Sequence, residues 1–393
     1  MAPGRETGDH GRMLGLVLAG GGARGAYEAG VLEHVCGPLA RRIGRPFRPQ
    51  LVSGTSVGAL TATWVAAADC GGANIAEIYR RLEPDHVYHM GPLDLLSIPQ
   101  KLFGRRRISG DAGALFDPTP IRAMVRDTIP WGALYDRIDH REVHALIVAA
   151  TDVSDGHCVQ FVDGISVDHE TPMSRMTSTR IGPDHLLGSA AIPFIFPPVA
   201  ISGRHYLDGG LRQNTPLQPV IHLGATRVLV VSLQEPSVRP VGPERAYAPS
   251  PVGLMGKALD ALTLDPIEED IRRTTHMNDL LRWGARTYPG FLDNVAAQQH
   301  GYHLVNLVHV RPSVDLGKLA SELFPRCAPH LPLATRKLLN TIAGAEDPGD
   351  ADLMSYLLFH HSFTAELVDL GARDAAANED ALATLWDAAP ASG

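Results

Sequence analysis

Short apolar runs separated by helix-like segments constrain the fold of this chain more than any other feature of its sequence. The runs lie at 14–18, 51–52, 143–151 and 227–233, and a further strand is expected at 303–310. Strands buried on both faces have such near-continuous apolar patterns, and they occur in parallel sheets covered by helices. The sequence therefore predicts an α/β, three-layer fold with a largely parallel central sheet flanked by helices.

The composition excludes several other classes of protein. The chain has 393 residues, of which 45% are hydrophobic, so it can bury a large core. Its 43 acidic and 35 basic residues give a net charge of −8, and no nucleic-acid partner is expected. No apolar run reaches the ~20 residues that a membrane-spanning helix needs. Residues 1–12 are polar and predict a disordered tail without a signal peptide, so we expect a cytoplasmic protein.

Cysteine and histidine give no metal-binding pattern. The cysteines are Cys36, Cys70, Cys158 and Cys327. Because they are scattered and contain no CxxC pair, neither a disulfide framework nor a cysteine zinc site is expected. The histidines contain no HExxH motif, and their loose clusters, His86 with His89 and His360 with His361, are interpreted as surface residues. We therefore expect no metal and no cofactor.

A glycine motif follows the first apolar run and precedes a helix-like segment. Gly20, Gly22 and Gly25 form a GxGxxG motif, in the context that a dinucleotide-binding loop requires. Such a loop also needs an acidic residue after the second strand, and residues 40–54 contain none. An NAD(P)-binding oxidoreductase therefore stays open only as a weak alternative.

The same glycine loop can serve another purpose. Consecutive glycines at Gly20, Gly21 and Gly22 can direct several backbone N–H groups at one point, because glycine adopts the backbone angles that this requires. Such a group of donors can stabilise an oxyanion. Arg24 either adds a positive charge or fixes the loop, and a plain packing turn is the remaining interpretation.

The second apolar run ends in a GxSxG motif. Ser56 lies between Gly54 and Gly58, with a strand before it and an alanine-rich helix after it. This is the pattern of a nucleophile elbow, in which a serine is exposed at a sharp strand-to-helix turn. The motif is short and also arises by chance, so its position between a strand and a helix carries the prediction.

A serine nucleophile needs a proton acceptor, and no histidine lies in a suitable context. An acidic residue does: Asp208 ends a strand-like segment and is followed by Gly209 and Gly210. Taken alone, Asp-Gly-Gly is typical of an ordinary tight turn.

These motifs, taken in order, resemble those of the patatin-like phospholipase family. The resemblance rests on GGGARG at 20–25, GTSVG at 54–58, SAAIPFIFPPV at 189–199 and DGG at 208–210. It implies a Ser–Asp dyad of Ser56 and Asp208. It also implies an oxyanion loop that contains Gly20, Gly21, Gly22, Arg24 and Gly25.

The resemblance further implies a lipid acyl hydrolase of phospholipase A type that acts through an acyl-enzyme. Phospholipids are the leading substrates, glycerides and lysophospholipids are competitors, and a catalytically silent lipid-binding protein is the alternative. The family domain is expected over 13–312, and a helical C-terminal extension over 313–393.

Three segments bear on the lipid. Transient contact with a membrane surface is expected. The candidate segment for this contact is 92–108, where apolar side chains adjoin a basic cluster. The alternative for 92–108, which we favour, is a helix that faces the core. The proline-rich loop 235–251 is either a lid or an ordinary loop. Residues 194–196 are expected to be buried near Asp208.

Overall fold

The computed structural model describes residues 13–68, 70, 72–90, 115–235, 267–296, 302–343 and 348–387. The expected tail at 1–12, the candidate lipid-contact segment at 92–108 and the proline-rich residues 236–251 lie outside the described residues.

In the described part of the chain, ten strands form one mixed sheet. They are β1 (Met13–Leu18), β2 (Leu51–Thr55), β3 (Ala145–Asp152), β4 (Cys158–Asp163), β5 (Asp168–Glu170), β6 (Ser174–Ser178), β7 (Val199–Ile201), β8 (Arg204–Asp208), β9 (Ala225–Val231) and β10 (Asn306–Val310). The main order is β10-β9-β1-β2-β3-β4-β6-β5, and β10, β9, β1, β2 and β3 run parallel to one another. β4 and β8 both pair antiparallel with β3, and β7 pairs with β8. The predicted α/β fold with a largely parallel centre and flanking helices is therefore confirmed.

Helices connect and cover the strands. The α-helices are α1 (Ala26–His34), α2 (Ala40–Ile43), α3 (Val57–Ala67), α4 (Gly72–Arg80), α5 (Thr119–Thr128), α6 (Trp131–Asp139), α7 (Pro183–Ser189), α8 (Leu217–His222), α9 (Ile267–Thr287), α10 (Phe291–Ala296), α11 (Leu316–Cys327), α12 (Leu333–Ala343), α13 (Pro348–Leu357), α14 (His361–Ala377) and α15 (Glu379–Ala383). Shorter 3₁₀ turns lie at Gly22–Gly25, Pro84–His86, Gly209–Leu211, Ala328–His330 and Thr384–Trp386, and a π turn at Val35–Leu39 joins α1 to α2. Among the described residues, no helix is both long and apolar enough to cross a membrane.

The alternation of side chains along β1 creates two apolar layers, one on each face of the sheet. Leu16 and Leu18 are fully buried in the layer that also contains α1, α3 and α14. Val17 is buried in the opposite layer, with side chains of α8 and α9. Because successive side chains of a strand point to opposite faces, one uninterrupted apolar run supplies both layers.

The C-terminal helix α14 packs directly on α1, the helix that follows the glycine loop. A Cβ atom at Gly30 would lie 1.9 Å from the carbonyl oxygen of Val368, and one at Gly371 would lie 2.1 Å from that of Tyr27. Only glycine permits so close an approach of the two backbones. The helices after residue 312 therefore share the core of the sheet, while the domain boundary expected there stays a prediction.

The predicted strands were found, including β8, which ends at Asp208, but β4, β5, β6 and β7 were missed. β5, β6 and β7 are short or partly exposed. β4 is buried along its whole length, but Gln160 and Asp163 interrupt its apolar residues, so none of these four strands has the long apolar run of a buried parallel strand.

The expectation of no disulfide was wrong for one pair of cysteines. Cys36 and Cys70 form a disulfide with their Cα atoms 6.0 Å apart, whereas Cys158 and Cys327 are buried as free thiols. Residues 34 positions apart in sequence meet here because the end of α3 packs beside the end of α1.

Candidate active site

Ser56 lies at the sharp turn between β2 and α3. Its φ of 54° and ψ of −125° belong to a region that residues with a side chain rarely adopt. The flanking glycines make the turn possible. A Cβ atom at Gly54 would lie 2.3 Å from the carbonyl oxygen of Gly58, and one at Gly58 would lie 2.5 Å from that of Ala19. The elbow predicted from the GxSxG motif is thus present in the backbone.

A second serine fixes this turn onto β3. The backbone N–H of Ser56 donates to Oγ of Ser189 at 2.8 Å, and the Ser189 hydroxyl donates to the carbonyl oxygen of Ala149 at 2.6 Å. Ser189 is fully buried at the end of α7. Ser189 lies in the segment that resembles the family, but its sequence context predicts no role, because a single serine carries no signal of such a contact.

Asp208 lies beside Ser56, at the end of β8. β8 reaches the site because it pairs with the carboxyl end of β3, with Asp208 opposite Ala150. The Ser56 hydroxyl and the backbone N–H of Gly210 both donate to the Asp208 carboxylate, the latter at 2.7 Å. Burial nevertheless raises the pKa of Asp208 to about 6. Asp208 is therefore ionised at neutral pH and is a stronger base than an ordinary aspartate.

The two glycines after Asp208 hold its turn against the sheet. A Cβ atom at Gly209 would lie 2.4 Å from the carbonyl oxygen of Ala149. One at Gly210 would lie 3.0 Å from Oδ1 of both Asn214 and Asp208. A larger residue at Gly209 would push Asp208 away from Ser56.

The glycine loop lies against the same site. The N–H of Gly20 donates to the carbonyl oxygen of Asn214, whose side-chain amide donates back to the Gly20 carbonyl, both at 3.1 Å. Among the described residues, the N–H groups of Gly21 and Gly22 have no acceptor, and both glycines line the cavity that contains Ser56. Gly21 and Gly22 therefore stay the candidates for the oxyanion loop, and Asn214, which the sequence did not indicate, fixes that loop.

Arg24 faces away from Ser56 and fixes the loop to α13. Its Nε donates to Oγ of Ser355 at 2.6 Å, and its Nη2 donates to Oδ1 of Asp352 at 3.0 Å. The guanidinium also lies 4.2 Å from the centre of the Tyr356 ring. Of the two roles considered for Arg24, the contacts match a fixed loop.

Gly25 and Glu28 lie beneath the loop. A Cβ atom at Gly25 would lie 2.5 Å from the Val57 side chain, so Gly25 allows α1 to pack against the elbow. Glu28 in the first turn of α1 is fully buried, and this burial raises the pKa of its carboxyl group well above the usual range. Burial therefore disfavours a negative charge on Glu28 behind the loop.

Two cavities meet at Ser56. The larger encloses about 950 Å³, including its mouth, and its walls are apolar side chains of α3, α4 and α5, among them Leu60, Ile78 and Met124. The smaller encloses about 600 Å³ and contains Asp208 and the glycine loop. Four residues line both cavities: Gly22, Ser56, Ile192 and Leu357. A substrate bound across Ser56 would therefore extend into two different environments.

The end of α13 forms the wall opposite the strands. A Cβ atom at Gly22, where φ is 56°, would lie 2.3 Å from the carbonyl oxygen of Tyr356. The buried hydroxyl of Tyr88 donates to the carbonyl oxygen of Leu357 at 3.0 Å. The glycine loop and α13 are thus in direct backbone contact.

The expectation that residues 194–196 are buried was wrong for one of them. Ile195 and Phe196 are buried, and they line the smaller and the larger cavity respectively. The Phe194 side chain is 55% exposed, because its φ of 67° turns it away from the core.

The interpretation of His360 and His361 as surface residues was wrong for His360, which is buried beside Glu83. Nδ1 of His361 lies 2.6 Å from Glu83 Oε1, and Nε2 of His360 lies 4.0 Å from Glu83 Oε2. Nδ1 of His360 accepts the N–H of Ser362 at 3.2 Å. Burial lowers the pKa of His360, so the ring is neutral and its proton lies on Nε2. A protonated Nε2 offers no lone pair to a metal, so this cluster links α14 to Glu83 and is a poor metal site.

A serine at a strained elbow that lines a cavity, a buried carboxylate and unpaired amides are the parts that acyl transfer through a serine requires. The patatin-like phospholipase family model matches residues 16–221, and this chain belongs to that family. Members of the family generally hydrolyse lipid esters. Membership favours the hydrolase interpretation of the glycine loop over the dinucleotide one.

The other comparisons are more distant. No curated protein matches the sequence. Among solved structures, VipD from Legionella pneumophila is similar at 14% identity with a TM-score of 0.32. The match covers 76% of this chain and 61% of the VipD chain, so this chain spans less than two thirds of that protein.

Proposed function

We propose that this protein hydrolyses carboxylic esters of acyl lipids, with Ser56 as the nucleophile and Asp208 as the acid–base residue. The observation that carries the proposal is the contact between them: the Ser56 hydroxyl donates to a buried carboxylate whose pKa is raised to about 6. A base with this pKa accepts the serine proton at neutral pH and can return it in the next step.

The first half-reaction forms an acyl-enzyme. Oγ of Ser56 attacks the ester carbonyl carbon while Asp208 takes its proton. The amides of Gly21 and Gly22 donate to the resulting oxyanion. The intermediate then collapses: the bond between the acyl carbon and the alcohol oxygen breaks, and that oxygen takes the proton from Asp208.

The second half-reaction repeats these steps with water. Asp208 takes a proton from a water molecule as its oxygen attacks the acyl carbon. Collapse breaks the bond to Ser56 Oγ, and Asp208 returns the proton to the serine. Both half-reactions use the Ser56 hydroxyl, the Asp208 carboxylate and the amides of the glycine loop. The products are a free fatty acid and an alcohol.

The larger cavity supports a lipid substrate. Its walls are almost wholly apolar, and burial of a fatty acyl chain there would gain roughly 0.8 kcal/mol for each CH₂ group removed from water. Phospholipids are the substrate class that the family description suggests, with glycerides and lysophospholipids as competitors.

A fluorophosphonate probe tests the dyad directly. We expect covalent labelling at Ser56, located by mass spectrometry, no labelling of Ser56→Ala, and much slower labelling of Asp208→Asn. Circular dichroism confirms that each variant is folded. A folded wild-type protein that neither reacts with the probe nor hydrolyses a p-nitrophenyl ester would overturn the proposal and favour the silent lipid-binding alternative.

A further inference from the structure

The alcohol half of the ester belongs in the smaller cavity. Asp208 lines this cavity and not the larger one. Since the leaving oxygen takes its proton from Asp208, it must come within hydrogen-bonding distance of that carboxylate. The acyl chain then extends past Ser56 into the larger, apolar cavity. This assignment rests on the proposed function.

The smaller cavity is negatively charged. Asp208 and Asp352 are on its wall, and among the described residues that line it there is no lysine, arginine or histidine. The guanidinium of Arg24 is bound to Asp352 and Ser355, and its side chain is only 5% exposed. Arg24 therefore offsets the charge of Asp352 and leaves that of Asp208 uncompensated.

We infer that Asp352 is a specificity-determining residue, which makes this site select esters with a neutral or cationic alcohol over esters with an anionic one. A phosphate group in the smaller cavity would approach the Asp208 carboxylate in a partly enclosed space, where like charges repel strongly, while the ion pair with Asp352 keeps the guanidinium of Arg24 from offsetting that repulsion. Among the described residues that line the cavity it would find no cation to replace its hydration shell, because Arg24 is not one of them and its Nε and Nη2 already donate to α13. A neutral glyceride carries no phosphate, so it is neither repelled by a carboxylate nor forced to lose the hydration shell of an anion.

Three esters of the same fatty acid test this inference. Oleoylcholine, monooleoylglycerol and oleoyl lysophosphatidic acid differ in the charge of the alcohol and share the acyl chain. They are compared in uncharged detergent micelles at pH 7.5, and each kcat/KM is divided by the rate of hydroxide-catalysed hydrolysis of the same ester. We expect the anionic ester to react at least about tenfold more slowly than the other two, the scale of one charge several ångströms away.

The variant Asp352→Asn isolates the contribution of the Asp352 charge to this selectivity. The amide keeps the shape of the side chain and an oxygen for Arg24, but the guanidinium charge loses its counter-charge. We expect the kcat/KM of the anionic ester, relative to that of monooleoylglycerol, to rise by about tenfold. Glu366→Gln is the matched control: Glu366 pairs with Arg373 on the exposed side of α14, and its variant should keep the wild-type ratio.

The outcomes separate this inference from the function on which it rests. Equal or faster turnover of the anionic ester by the wild-type protein overturns the inference alone, as does an unchanged ratio in folded Asp352→Asn. Absence of turnover for all three esters, together with no probe labelling, overturns both. If Asp352→Asn does not fold, the order of the three esters with the wild-type protein decides the question.

Discussion

The two walls of the candidate active site differ in origin. One wall consists of strand ends and their turns, with Ser56 after β2, Asp208 at the end of β8 and the glycine loop after β1. The opposite wall is α13, which lies beyond residues 16–221 matched by the family model. The first wall contains the groups that are proposed to react. The second supplies a carbonyl surface, apolar side chains and the charge of Asp352.

This difference indicates which side chains of the site can be substituted without moving Ser56. On the strand wall the backbone is closely packed around each group. A Cβ atom at Gly54, for example, would lie only 2.3 Å from the carbonyl oxygen of Gly58. Substitutions on this wall therefore move Ser56, Asp208 or the glycine loop. On α13 a side chain can change without moving Ser56. We therefore expect the strand wall to determine the chemistry and α13 to determine the selection of the alcohol.

The largest expected effect comes from the strand wall. Ser56→Ala should lower kcat for ester hydrolysis by at least ~10³-fold, because no other group replaces the nucleophile. The melting temperature should change little. Ser166→Ala, at an exposed serine, is the control and should keep wild-type activity. Substantial activity in Ser56→Ala would place the chemistry elsewhere.

Asp208→Asn should lower kcat/KM by about 10²–10³-fold, the usual contribution of a general base. In the wild-type protein, kcat/KM should rise as pH passes through about 6, the pKa of Asp208, and level off above it, since the ionised form is the base. A flat profile between pH 5 and 8 would contradict the assignment.

The same raised pKa makes a prediction about stability. Because the folded protein holds the Asp208 proton more tightly than the unfolded chain, the contribution of this group to stability falls as pH rises from about 4 to 6. Asp208→Asn should therefore raise the melting temperature relative to wild type at pH 8 more than at pH 4.

A third variant tests the contact between the walls. Gly22→Ala would place a Cβ atom 2.3 Å from the Tyr356 carbonyl oxygen, at a φ of 56°. The loop or α13 must shift, so we expect a loss of kcat of about tenfold to 10²-fold, smaller than the loss of the nucleophile. Gly132→Ala, where a Cβ atom meets nothing within 4 Å, is the control and should be neutral.

The smallest effect is expected at the C-terminal end of α13, at Leu357. Tyr88→Phe removes the hydrogen bond to the Leu357 carbonyl oxygen and should lower the free energy of unfolding by about 1 kcal/mol. The catalytic rate should stay near wild type, because Ser56 and Asp208 are untouched. Urea unfolding measures the change, and exposed Tyr288→Phe is the control.

The fold was predictable where local pattern and burial agree. β1, β3 and β9 each contain a long run of apolar residues, since a strand covered on both faces has no polar side. β5 and β6 expose much of their length and carry no such run. The disulfide between Cys36 and Cys70 gave no signal, because its geometry depends on how two distant segments pack.

By itself, the sequence determined the groups that could react: glycines spaced to permit an elbow, the serine between them and an aspartate at a strand end. These are local properties, because backbone freedom and side-chain chemistry belong to single residues and their neighbours. Only the tertiary structure decided the rest. It buried Asp208 and so raised its pKa, placed Ser189 and Asn214 behind the reacting groups, and brought Asp352 to the wall of the smaller cavity. Burial and charge at a site depend on which segments pack there. α13 lies nearly 300 residues after Ser56 in the sequence, so local pattern could not predict its contact with the site.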